Sequence, residues 1–244
     1  FSLKSDSELL RAKFLFNIIN NRFLVKFGAY VANLTLKLKL PVKPIIKATV
    51  YNHFCGGEDE KQCELTIQNM FKYNVYSVLD FSTEDFNNES DFDLCYEKKI
   101  SLIEYSKSKK EIPFTVFKPT CIGKASIFEK ISLNHKLNEN EKESWSRIKK
   151  RFHGICKTAK DNNVKILIDA EEFFVQKAID ELALEMMLNY NKKQVIVYNT
   201  VQMYRHDRMR YLKKLILDYP EVLFGFKLVR GAYMEKERRR AFKY

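Results

Sequence analysis

The chain has 244 residues, with 43 Lys and Arg against 31 Asp and Glu, for a formal net charge of +12. Its 45% hydrophobic and 14% aromatic content excludes a disordered chain, and 7 Gly with 5 Pro exclude collagen-like and low-complexity classes. No apolar run reaches the roughly 18 residues of a membrane-spanning helix. Five scattered cysteines without a C-x-x-C pair read as a chain from a reducing compartment, not as a disulfide framework or zinc knuckle. The basic clusters are short (Lys107, Lys109 and Lys110; Lys149, Lys150 and Arg151; Arg238, Arg239 and Arg240) and read as solvated helix faces. No nucleic-acid motif accompanies them, so no nucleic-acid partner is expected.

Residues 5–40 read as helical. Ser5 and Glu8 have the spacing of a capping box, and Leu24, Phe27, Val31, Leu34 and Leu38 recur with helical period. Phe1 is not an initiating residue, so a preceding segment is expected. Pro41 and Pro44 close this arm. The pattern then alternates. Strands are expected at 45–51, 75–81 (VYSVLDF), 114–117 (FTVF), 164–168 (VKILI), 194–198 (QVIVY) and 222–229. Helices are expected at 58–71, 95–109, from about Asn138 onward with Trp145, Ile148, Phe152, Ile155 and Ala159 in one stripe, and at 172–188, 204–217 and 234–242.

Strand–helix alternation implies parallel βα units, and the nearly all-apolar strands suit a sheet covered on both faces. An open dinucleotide-binding sheet should carry G-x-G-x-x-G after its first strand; this chain has Cys55-Gly56-Gly57-Glu58 instead. A (β/α)8 barrel of the TIM type is therefore expected, incomplete here with about six units. It occupies residues 45–244 and follows an N-terminal helical arm over residues 1–44. Asp80, Lys118, Asp169 and Lys227 stand at or near the C-terminal ends of four different apolar runs, and Gln202 lies just beyond a fifth. In a barrel these ends share one rim, where active sites sit. The four His fall in different units without paired spacing, so no metal site is expected.

The run from Phe226, FKLVRGAYMEKER, resembles the signature of the proline dehydrogenase family, with Leu228 to Tyr233 as its core and Glu237 following. Phe117-Lys118-Pro119-Thr120, Leu167-Ile168-Asp169-Ala170-Glu171 and Tyr198-Asn199-Thr200-Val201-Gln202-Met203-Tyr204 resemble three further motifs of that family in the right order. Phe54-Cys55-Gly56-Gly57-Glu58 and Leu79-Asp80-Phe81-Ser82 are similar to its early ones. The resemblance implies an FAD-dependent barrel enzyme that oxidises L-proline to Δ1-pyrroline-5-carboxylate in proline catabolism and passes electrons to a quinone. It implies that Arg230, Gly231, Ala232, Ala170 and Gln202 bind the flavin, and that Lys227 stabilises the reduced ring beside its reactive edge. It implies that Lys118 holds the substrate carboxylate, that Tyr233 packs on the substrate, and that Asp169 is the active-site carboxylate. Peripheral membrane contact follows from the quinone. The expected location is cytoplasmic, peripheral to the inner membrane, and mitochondrial in a eukaryote.

Six units fall short of eight, and Tyr244 lies within an expected helix. The resemblance implies two more strands and a final helix with paired arginines, so this segment is expected to be inactive alone. Hydroxyproline dehydrogenase, another barrel enzyme with a phosphate ligand, and a non-catalytic basic scaffold are the competing readings.

Overall fold

A computed structural model describes residues 4–38, 41, 44, 47–81 and 86–243. They form two compact units, 1–76 and 77–244.

The first unit is helical. Helix α1 (Asp6–Asn20) starts at Ser5, whose side chain accepts from the Glu8 N–H while Glu8 caps the Ser5 N–H, so the expected capping box forms. Helix α2 (Arg22–Lys37) follows after a one-residue break at Asn21, and α3 is Glu60–Phe71 with Asp59 as its N-cap. Where a strand is expected at 45–51, none forms among the described residues. Residues Lys47–Tyr51 make a π-helical turn that runs into a short helix, Asn52–Phe54, while 45 and 46 lie outside the described residues. A β-branched run is a strand signal only where a sheet receives it.

The second unit holds five parallel strands in sequential order: β1 (Val78–Leu79), β2 (Phe114–Phe117), β3 (Lys165–Ile168), β4 (Val197–Gln202) and β5 (Phe226–Val229). Helix α4 (Glu89–Ser106) links β1 to β2. Helices α5 (Ala125–Ser132) and α6 (Glu139–Asp161) link β2 to β3, α7 (Phe173–Tyr190) links β3 to β4, and α8 (Arg208–Asp218) links β4 to β5. Helix α9 (Met234–Lys243) follows β5. This is the α/β architecture of a TIM-type barrel, with each strand beside its sequence neighbour. Five strand–helix units are present among the described residues, where six were expected.

The helices cover one face of the sheet with a packed core. Phe117, Ile166 and Ile168 meet Phe152, Ile155 and Ala159 of α6 and Ile179, Leu182 and Met186 of α7, all buried. Phe117 and Phe152 touch edge to face at 5.1 Å between ring centroids. Strand β4 places a polar residue on this same side. The Asn199 amide donates to Asp180 at 3.0 Å, and Asp180 also accepts from Gln176 at 2.8 Å and from Arg208 at 2.7 Å. A buried carboxylate is tolerated there because each oxygen has a donor.

Candidate active site

Side chains alternate across a strand, so the register fixes which residues face away from the helices. Phe117, Ile168 and Asn199 are successive register partners, and all three point toward the helices. Their successors Lys118, Asp169 and Thr200 therefore face the opposite side, and Thr200 is paired with Lys227. These four residues form one row across the C-terminal ends of β2 to β5. Beneath it, the Phe114 and Tyr198 rings meet edge to face at 5.3 Å.

Within the row, Lys227 and Asp169 form an ion pair in which the ammonium donates to the carboxylate. Thr200 stands between them in register. It is buried, and its hydroxyl has no partner among the described residues. A buried hydroxyl without a partner costs free energy, which a polar ligand at this site would recover. Lys118 is exposed and lines a cavity of about 810 Å³ together with Thr120, Glu171 and Tyr233. The cavity lies at the strands' C-terminal ends and falls within the usual size of a ligand pocket.

One residue past the expected set organises the rim. The Glu171 carboxylate accepts from the Thr120 N–H and hydroxyl, both at 2.7 Å, and so ties the exit of β2 to the exit of β3. Its own N–H donates to Gln176 at 2.7 Å, and its carbonyl accepts from the Gln202 amide at 2.8 Å. Burial raises the Glu171 carboxyl above its ordinary value, against the Thr120 donors and the Lys118 charge. The sequence contained Glu171 inside a recognised motif, but its partner lies 51 residues away. Lys99 was missed for the same reason. It is buried on α4 and donates to Asp80 at 2.6 Å and to the Phe81 carbonyl at 2.9 Å. Ser82, the last residue of that early motif, lies outside the described residues.

Of the expected flavin contacts, Ala170 follows β3, Gln202 ends β4, and Arg230, Gly231 and Ala232 follow β5. Gln202 is buried and bridges, donating to Glu171 and accepting from the Ala232 N–H at 3.2 Å. Gly231 has φ +126°, a conformation L side chains rarely adopt. A Cβ there would overlap the Tyr204 ring, so the space that the missing side chain leaves is filled by Tyr204. Arg230 and Ala232 are exposed and Ala170 is half-buried; the Arg230 carbonyl accepts from the Tyr204 N–H at 2.9 Å. Burial pushes the Tyr233 phenol up to about 12, with the Glu171, Glu172 and Asp169 charges adding to the shift, so it stays protonated at neutral pH.

These residues fit a flavin. Lys227 supplies a cation, Thr200 an unsatisfied buried hydroxyl and Gln202 an amide with one hydrogen and one lone pair to spare, all at one rim.

Parallel βα units with a charged and hydroxylic row at their C-terminal ends define a barrel protein with an enzyme-type rim. The chain belongs to the proline dehydrogenase family: the family's sequence profile, described as proline dehydrogenase, matches residues 63–243. It is 34% identical to the carbapenem antibiotics biosynthesis protein CarD of Pectobacterium carotovorum subsp. carotovorum, over 76% of this chain and 50% of that protein. It is 27% identical to the mitochondrial proline dehydrogenase 1 of Dictyostelium discoideum, over 98% of this chain and 49% of that one. The crystal structure of proline utilization A from Bdellovibrio bacteriovorus, inactivated by N-propargylglycine, superposes with a TM-score of 0.68 at 18% identity, covering 82% of this chain and 22% of that one. The chain spans about half the length of the curated relatives it matches.

Proposed function

We propose that this chain carries part of the catalytic barrel of an FAD-dependent proline dehydrogenase, with flavin and substrate residues inside 45–244. The enzyme oxidises L-proline to Δ1-pyrroline-5-carboxylate and delivers the electrons to a quinone in a membrane. The observation that carries this reading is the row Lys118, Asp169, Thr200 and Lys227, with its ion pair, in a chain of this family. In the reaction the ring nitrogen loses a proton, the adjacent carbon loses a hydride and a C=N bond forms. A bound FAD supplies the hydride acceptor.

The chain's own residues bind and orient. Lys118 holds the substrate carboxylate at the cavity edge. The protonated Tyr233 packs on the substrate and keeps a hydrogen to donate. Lys227 aims positive charge at the edge where negative charge accumulates, and Asp169 holds that lysine in place. Arg230, Gly231, Ala232, Ala170 and Gln202 line the flavin. The name of the Dictyostelium relative supports a mitochondrial location if this chain is eukaryotic.

The test is the absorbance spectrum of the purified full-length protein. A flavin spectrum bleached by L-proline, and less readily by hydroxyproline, is expected. Colourless protein that binds DNA in a salt-sensitive manner would replace this reading with the basic scaffold.

A further inference from the structure

The excess positive charge is concentrated. Residues 9–57 contain eight Lys and Arg and no Asp or Glu, so 49 of 244 residues account for two thirds of the net +12. Helix α2 sits in the middle of this stretch. Phe23, Phe27, Tyr30, Leu34 and Leu38 follow one another at spacings of three or four residues and share one stripe along α2 and its C-terminal end. All five are exposed: 74%, 58%, 65%, 43% and 61%. The Phe23 and Phe27 rings stack in parallel, 6.4 Å between centroids, and extend the apolar surface. Lys26 and Lys37 border the stripe on the same turns. Helix α1 adds exposed Leu10 and Phe14, one turn apart. No described helix is long and apolar enough to cross a membrane.

We propose that α2, assisted by α1, docks this protein on an anionic bilayer. The stripe enters the boundary between headgroups and acyl chains, and the lysines and arginines along it meet lipid phosphates and carboxylates. An apolar face flanked by Lys and Arg, with aromatic residues and no acid, is the composition of helices that lie in a membrane interface. Charge selects this occupant over a second copy. Two copies would face each other with like-charged surfaces and no acid on α2 to neutralise them. A nucleic acid would match the charge but not the row of apolar side chains between the charges. This inference deepens the reading above, because it places the membrane contact of an enzyme whose acceptor is dissolved in a bilayer. Its purpose rests on that reading, but its measurement does not.

The experiment is flotation of the full chain with vesicles of phosphatidylcholine alone or with about 30% phosphatidylserine, in the absence of proline. Binding is expected to anionic vesicles, weakening as salt rises, because each basic residue near such a surface is worth about fivefold in partitioning. Phe23→Glu with Phe27→Glu should reduce partitioning at least tenfold. Lys26→Glu with Lys37→Glu should abolish the preference for anionic lipid. These side chains are exposed, so melting curves should match the parent. Should the phenylalanine variant fold poorly, the lysine variant decides alone. Equal binding to both vesicles, no binding at low salt, or variants that float like the parent would overturn the proposal. So would a concentration-dependent dimer that the phenylalanine substitutions dissolve. Proline bleaching of the flavin, measured separately, tests the catalytic reading, so one result can fail without the other.

Discussion

Lys227 on β5 and Asp169 at the exit of β3 form an ion pair that spans the intervening strand β4 at the level of Thr200. Neither strand neighbours the other, so the pair joins three adjacent βα units through side chains alone. The two side chains are only partly exposed, 31% and 23%. The attraction is thus less screened than on an open surface and cheaper to desolvate than in a core. It keeps the lysine extended over the row while an unsatisfied hydroxyl waits beside it.

Lys227→Ala should therefore affect chemistry far more than folding. The ion pair is exposed enough that its net stabilisation is about 1 kcal/mol or less. A cation at a developing negative charge acts mainly in the transition state, where losing one such group costs roughly 10²–10³ in rate. Stopped-flow measurement of flavin bleaching by proline should show that loss, with an unfolding midpoint close to the parent's. A reduction rate equal to the parent's would remove Lys227 from the chemistry.

The central strands were legible because apolar runs such as FTVF at 114–117 have one interpretation when buried on both faces. Strand β4 is expected from the sequence at 194–198 but runs over Val197–Gln202. Its polar letters Asn199, Thr200 and Gln202 read as a loop until Asp180, Lys227 and Glu171 supply their surroundings. The rim set of Asp80, Lys118, Asp169, Gln202 and Lys227 was visible as polar residues at strand exits, since parallel strands bring those ends together. Its cross-links were not visible. Asp80 to Lys99 and Thr120 to Glu171 are contacts at sequence separations of 19 and 51, and no local period encodes them. The stretch 47–51 shows the converse, because Thr49 and Val50, without a sheet partner, settle into a helical turn.

Gly231 should resist every substitution. Its φ of +126° strains any L side chain by about 1–3 kcal/mol, and a Cβ would also displace the Tyr204 ring. Gly231→Val moves both the Arg230–Ala232 turn and Tyr204, so flavin content should fall sharply and the melting temperature should drop. Measuring bound flavin per chain after gel filtration, alongside a thermal melt, checks both. A Val variant with full flavin and an unchanged melt would show that the turn tolerates a side chain.

Glu171 gives a pH signature. Burial raises its folded-state pKa above the ordinary 4.5. The folded chain thus binds this proton more tightly than the unfolded one. The resulting stability is complete below pH 4.5 and is lost as pH rises through the folded value. Glu171→Gln removes this titration and can keep both Thr120 contacts, its carbonyl accepting from the N–H and its amide donating to the hydroxyl. Relative to the parent, the variant should gain stability between pH 4 and pH 8. Urea midpoints at those two pH values measure the gain. A difference between the two proteins that does not change with pH would mean that the carboxylate is not strained by burial.

Lys118 separates substrate binding from flavin binding. It stands at the exit of β2, on the same row as Asp169, and lines the cavity with Thr120, Glu171 and Tyr233. The Thr120–Glu171 clamp fixes the backbone just beyond it, so the lysine projects from a held turn. Its neighbours in the cavity are mostly neutral, with Lys124 and Lys236 beside Glu171 and Glu172, and the buried Glu171 carboxylate is already occupied by two donors. A substrate carboxylate arriving there would find a cation not committed to a strong hydrogen bond with Glu171. An exposed lysine contributes less than a dry one, so the expected loss is moderate. Lys118→Ala should raise the apparent KM for proline about tenfold, equivalent to ~1.4 kcal/mol. The flavin spectrum, flavin content and melting temperature should stay near the parent's, because nothing in the core rests on this side chain. Lys118→Arg should recover part of the affinity, since a guanidinium still presents a cation to the carboxylate. Titrating the bleaching of the full-length enzyme with proline decides the matter. If Lys118→Ala titrates like the parent, the lysine is a solvated rim residue and the substrate carboxylate is held elsewhere.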